Sequence, residues 1–134
     1  MLKDAPELQA EEIALAIVLE ENELRQEEWN VYLINLNEKT LEGVLVSSTG
    51  YGTINNEMRK TTTLRHFLDE MNPKSFQKIE LIIEDVFGLN NEYWVSYFLE
   101  KKMFERRFIF LPETIKKENL THIPIINKKG ILIR

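Results

Sequence analysis

The chain of 134 residues has no cysteine, two histidines, four prolines and five glycines. Without cysteine there are no disulfides, no thiolate metal sites and no cysteine nucleophile. The two histidines, His66 and His122, cannot supply a three-histidine zinc site, and no His-Glu-x-x-His occurs. Glycine is too sparse for a phosphate cradle: Gly50-Tyr51-Gly52 lacks a third glycine, and there is no Gly-x-x-x-x-Gly-Lys. No apolar run is long either. The longest, Ile13 to Leu19, covers seven residues, where a membrane helix needs about 20. The first twelve residues carry no basic stretch ahead of an apolar one, so no secretory signal is expected. These absences predict a cytoplasmic protein with no cofactor, no metal and no membrane partner.

What is present is a globular balance, 43% hydrophobic and 29% charged residues in 15.9 kDa. That length fits one domain, which buries about two thirds of its unfolded surface. We therefore expect a single domain over residues 1–134 with an acidic N-terminal segment over residues 1–12. The net charge of −5 is unevenly spread. Residues 1–30 hold nine acids against Lys3 and Arg25, and residues 101–134 hold nine bases against three acids. Such polarity either steers a partner or is neutralised inside the fold.

The dominant hydrophobic period is two. Ile13, Leu15, Ile17 and Leu19 alternate with Ala14, Ala16 and Val18, which suits a strand buried on both faces. A helix competes here, and a short acidic helix fits residues 6–12. Trp29 to Asn35 and Leu41 to Thr49 alternate on either side of the polar Asn37-Glu38-Lys39-Thr40, which predicts a hairpin. Gly50-Tyr51-Gly52 is expected to end that strand, with Thr53 to Lys60 as a polar loop. Thr61 to Phe67 reads as an edge strand, with a short helix over Thr63 to Met71 as the alternative, and Asp69 to Pro73 as a turn. Lys78 to Glu84 places Ile79, Leu81 and Ile83 on one face. Tyr93 to Leu99 and Phe104 to Leu111 form a second hairpin through Glu100-Lys101-Lys102-Met103. Ile123 to Ile126 and Ile131 to Arg134 close the chain as a small hairpin, with Gly130 placed for a positive φ.

Short strands separated by turn signals, with no crossover helices, predict an all-β fold: an antiparallel β-sandwich of about eight strands. Between Glu84 and Glu92, the apolar Val86, Phe87 and Leu89 interrupt any calcium-loop pattern and are expected to cap the core. Adjacent carboxylates such as Glu11-Glu12, Glu27-Glu28 and Glu84-Asp85 point to opposite faces of a strand and do not converge. His66 could pair with Ser47 or Ser48 in a hydrolase, but the glycines around Ser48 are misplaced for a nucleophile elbow. No catalytic residue is assigned. Binding residues are expected on the hairpin of residues 92–111: Tyr93, Trp94, Tyr97 and Phe98, with Arg106 and Arg107. Both faces of that hairpin carry large rings, so one fills the core and the other needs cover.

The strings Trp29-Asn-Val-Tyr-Leu-Ile-Asn, Leu41-Glu-Gly-Val-Leu-Val, Gly50-Tyr-Gly, Leu64-Arg-His-Phe, Val86-Phe-Gly-Leu-Asn-Asn-Glu-Tyr-Trp-Val-Ser and Phe110-Leu-Pro-Glu-Thr span nearly the whole chain. Together they resemble a family of short bacterial proteins sometimes labelled as a phenylalanyl-tRNA synthetase subunit. The resemblance implies association with tRNA or a synthetase. It does not extend to aminoacylation, because Phe104-Glu-Arg-Arg-Phe has neither the order nor the glycines of a class II catalytic motif. The expectation is a non-catalytic protein-interaction module, with a protein partner or a homodimer. The alternative is an RNA-binding accessory protein using Arg106, Arg107 and nearby lysines.

Overall fold

The computed structural model describes residues 12–134. The expected acidic helix therefore falls, apart from Glu12, outside the described residues. Ten strands follow: β1 (Ile13–Glu21), β2 (Glu27–Asn35), β3 (Leu41–Ile54), β4 (Glu57–Lys60), β5 (Leu64–Met71), β6 (Ser75–Ile82), β7 (Asn90–Leu99), β8 (Lys102–Phe110), β9 (Thr121–Ile123) and β10 (Lys128–Ile133). They form two five-stranded antiparallel sheets. One runs β6-β2-β1-β10-β9. The other runs β4-β3-β7-β8, with β5 also paired to β3. The all-β sandwich expected from the alternation is the observed fold, with ten strands instead of about eight. Among the described residues no helix is long and apolar enough to cross a membrane.

Alternation decides which side chains meet between the sheets. Ile13, Leu15 and Ile17 of β1 and Trp29, Val31 and Leu33 of β2 bury against Val44 and Val46 of β3 and Tyr93, Val95 and Tyr97 of β7. The opposite face of β1 is buried as well, with Ala14, Ala16 and Val18 packed beside Ile34, Ile123 and Ile126. A strand with both faces covered needs no polar alternation, which is why a helix could compete for this segment in sequence.

Several local expectations are corrected. Trp29 to Asn35 and Leu41 to Thr49 do not pair: β2 lies between β1 and β6, while β3 belongs to the facing sheet. Leu41, Val44 and Val46 bury against the same core as β2 from its other side, so the chain folds over the core between them. Asn35, fully buried, fixes that corner. Its Nδ2 donates to the carbonyls of Lys39, Met71 and Asn72, and its Oδ1 accepts from the backbone N–H and Nδ2 of Asn37. One amide thus ties the β2–β3 crossover to the β5–β6 crossover.

Gly50 does not end β3. The strand continues to Ile54 and turns through Asn55 and Asn56, both at positive φ, into β4. The segment read as a polar loop is that hairpin. β5 is a strand through Met71, which removes the helix alternative and moves the turn to Asn72-Pro73-Lys74. Gly130 does not have a positive φ. It sits within β10 opposite Val18, where a Cβ would lie 2.5 Å from the Ile17 carbonyl oxygen. Close backbone approach is what requires glycine there.

The face expected for β6 also changes. Val31 pairs with Glu80 and Tyr32 with Lys78, so Ile79 is the extra residue of a β-bulge. A bulge shifts the alternation by one. Ile79 and Ile82 are buried, whereas Leu81 and Ile83 are exposed. Glu80, opposite the core residue Val31, is turned toward the other sheet.

Candidate functional site

β7 and β8 form the expected hairpin, but its turn is Glu100-Lys101 alone, both at positive φ, with Lys102 and Met103 already in β8; the pairing runs from Asn91↔Phe110 to Leu99↔Lys102. Strict alternation then sorts the six expected binding residues onto two faces. Tyr93 and Tyr97 point into the core and are buried, with Arg106 on the same face. Tyr97 stacks on Phe104 at 5.6 Å, and the Arg106 guanidinium lies 4.9 Å from the Phe108 ring centre. Burial pushes the Tyr97 phenol up to about 12, with Arg106 pulling the other way. Trp94, Phe98 and Arg107 face outward. Arg107 lies over the Trp94 ring and bonds the Glu92 carboxylate. The six do not form one site.

The outer face of this sheet is continuous. Leu45 of β3 is directly opposite Phe67 of β5 on one side and Ser96 of β7 on the other, and Ser96 is opposite Glu105 of β8. The next row is Arg65, Ser47, Trp94 and Arg107. Phe98 pairs with Met103 and rests against Gly43. Trp94 remains 46% exposed, Phe98 42% and Phe67 66%, and Leu45 and Met103 are exposed as well. A shallow hollow of about 130 Å³ lies among Leu45, Ser47, Trp94 and Glu105.

The bases of the C-terminal third are dispersed. Lys117 pairs with Glu27 at 2.8 Å, Lys128 of β10 pairs with Glu20 of the neighbouring β1, and Arg106 and Arg107 point to opposite faces. Two ion pairs thus join the acidic first thirty residues to the basic last third within the fold.

A second constellation was missed in sequence. Glu80 reaches from β6 across to the facing sheet. Its Oε1 accepts the Ser48 hydroxyl at 3.0 Å and lies 2.8 Å from His66 Nε2, and its Oε2 accepts the Tyr93 phenol at 2.9 Å. Burial and the neighbouring Glu80 charge raise the Tyr93 phenol well above its ordinary value. Ser48 and His66 therefore do meet, but at the carboxylate. Activation of a serine nucleophile needs the imidazole in the middle, bonded to the hydroxyl; here the carboxylate occupies that place. Glu80 also lines a cleft of about 310 Å³ between the sheets, beside Ser48, Leu64, Ile83, Val86 and Tyr93. The signal for it in sequence was an acid inside the apolar run Ile79 to Ile83. Only the bulge turns that acid inward. Among the described residues no three His, Asp or Glu side chains are grouped to hold a metal ion. The chain matches no family model, no curated protein and no solved structure.

Proposed function

We propose that the chain is a protein-interaction module, not an enzyme, and that the outer face of the β5-β3-β7-β8 sheet docks a second copy of itself. The observation that carries this reading is the run of five large apolar side chains left exposed on that face, Leu45, Phe67, Trp94, Phe98 and Met103. Outer sandwich faces are ordinarily polar, and a grouped apolar set with aromatic anchors is the composition of an interface core. The surrounding charges favour self-association. Arg65 and Arg107 are matched on the same face by Glu92 and Glu105. Balanced signs suit an isologous contact, in which one patch meets its own copy. A nucleic-acid surface requires an excess of bases, which this face lacks.

Light scattering across a concentration series tests it. The wild-type mass should rise from 15.9 kDa toward twice that value, and Trp94→Glu should hold it at the monomer. A wild-type chain that stays monomeric at every concentration would refute self-association. Binding of tRNA at low salt that weakens steeply as salt rises would favour the RNA-binding alternative.

A further inference from the structure

The cleft at Glu80 has one charged side chain among those lining it, the carboxylate itself. Its walls are otherwise apolar or neutral, among them Leu64, Ile83, Val86, Thr49 and Thr61. The carboxylate is held in place by donors from three strands of the facing sheet, Ser48 of β3, His66 of β5 and Tyr93 of β7. A carboxylate has about four acceptor positions, so three bonds leave room for one more. Ser48 and Tyr93 are neutral donors at these distances, so they orient the negative charge without cancelling it. His66 cancels it only when protonated. A fixed, largely desolvated carboxylate at the wall of an apolar cleft attracts cations and repels anions. The volume, near the lower end for ligand pockets, restricts the occupant to a small molecule.

We propose that this cleft binds a small organic ammonium ion, with its charged head on Glu80 and its apolar body against Leu64, Ile83 and Val86. The site lies between the sheets, on the opposite side of the β3-β7 layer from the docking face, and does not depend on that face. Leu64 and Ile83, both about half exposed, form the entrance. Ligand binding would add a cation to a contact that already joins the two sheets.

Hexylammonium is a suitable probe, with 1-hexanol and hexanoate as neutral and anionic counterparts of similar shape. In amide NMR titrations of the full chain, hexylammonium should give saturable shifts at Ser48, Leu64, Glu80 and Val86. It should bind at least about tenfold tighter than hexanol, the discrimination expected of one charge-assisted bond, and hexanoate should bind weakest. Glu80→Gln should bring hexylammonium down to the affinity of hexanol. Leu64→Trp, at an exposed rim position, should block the cleft while leaving Glu80 and its partners intact, so the test survives if Glu80→Gln fails to fold. Equal affinity for amine and alcohol, unaltered binding in a folded Glu80→Gln or in Leu64→Trp, or the absence of saturable shifts would each overturn the proposal.

Discussion

The Tyr93 phenol donates to Glu80 Oε2 at 2.9 Å, from the inner face of one sheet to a carboxylate on the other. Glu80 is aimed there because Ile79 is the bulged residue of β6. Tyr93→Phe keeps the ring in the core and removes only the hydroxyl, leaving a buried acceptor position without its donor. Urea unfolding should show a loss of about 1–2 kcal/mol with an unchanged m-value.

Asn35 links distant parts of the chain. Its amide bonds backbone carbonyls at Lys39, Met71 and Asn72 and accepts from Asn37, so truncation removes five hydrogen bonds of a buried and half-buried network at once. Asn35→Ala should cost about 3 kcal/mol or more, within the range for a broken buried network. A lowered urea midpoint checks it.

Gly130→Ala tests the contact between β10 and β1. The added methyl would meet the Ile17 carbonyl oxygen and the Val18 Cα, both backbone atoms that cannot rotate away. The strands must separate, at a cost of about 1–3 kcal/mol typical of overpacking. A thermal midpoint equal to wild type would mean that the closing strand is not held against β1 as described.

How much of this was legible in the sequence differs from element to element. The period of two in Trp29 to Leu33 and in Tyr93 to Leu99 identified the strands but not which face of each meets the core. Alternation is a local property: it separates Tyr93 and Tyr97 from Trp94 and Phe98 without saying which pair is buried. The β2–β3 corner was not legible. A short polar link reads the same whether the chain returns within its sheet or crosses the core, and the partners of Asn35 that settle the matter lie more than thirty residues away. Glu80 was missed for a related reason. Strict alternation puts Ile79, Leu81 and Ile83 on one face, and one extra residue opposite β2 moves the acid inward. Ser48 and His66 were visible as a pair, but the group that joins them was not.

Alkaline stability follows from the buried phenols. Burial raises both Tyr93 and Tyr97 in the folded chain, Tyr97 to about 12, while unfolded tyrosines ionise near pH 10. Above that pH the unfolded state holds fewer protons than the native state, so stability falls as pH rises. The contribution should be complete below about pH 10 and disappear as the pH passes the raised folded values. Tyr97→Phe should flatten the decline between about pH 10 and pH 12, measured by urea midpoints across that range.

Self-association through the outer sheet face is tested most directly by NMR on an equal mixture of labelled and unlabelled chains, with filtering for contacts between copies. Docking through this face gives intermolecular contacts among Leu45, Phe67, Trp94, Phe98 and Met103, which disappear in Trp94→Glu. Intermolecular contacts confined to other surfaces, or none at the highest concentration reached, would contradict it.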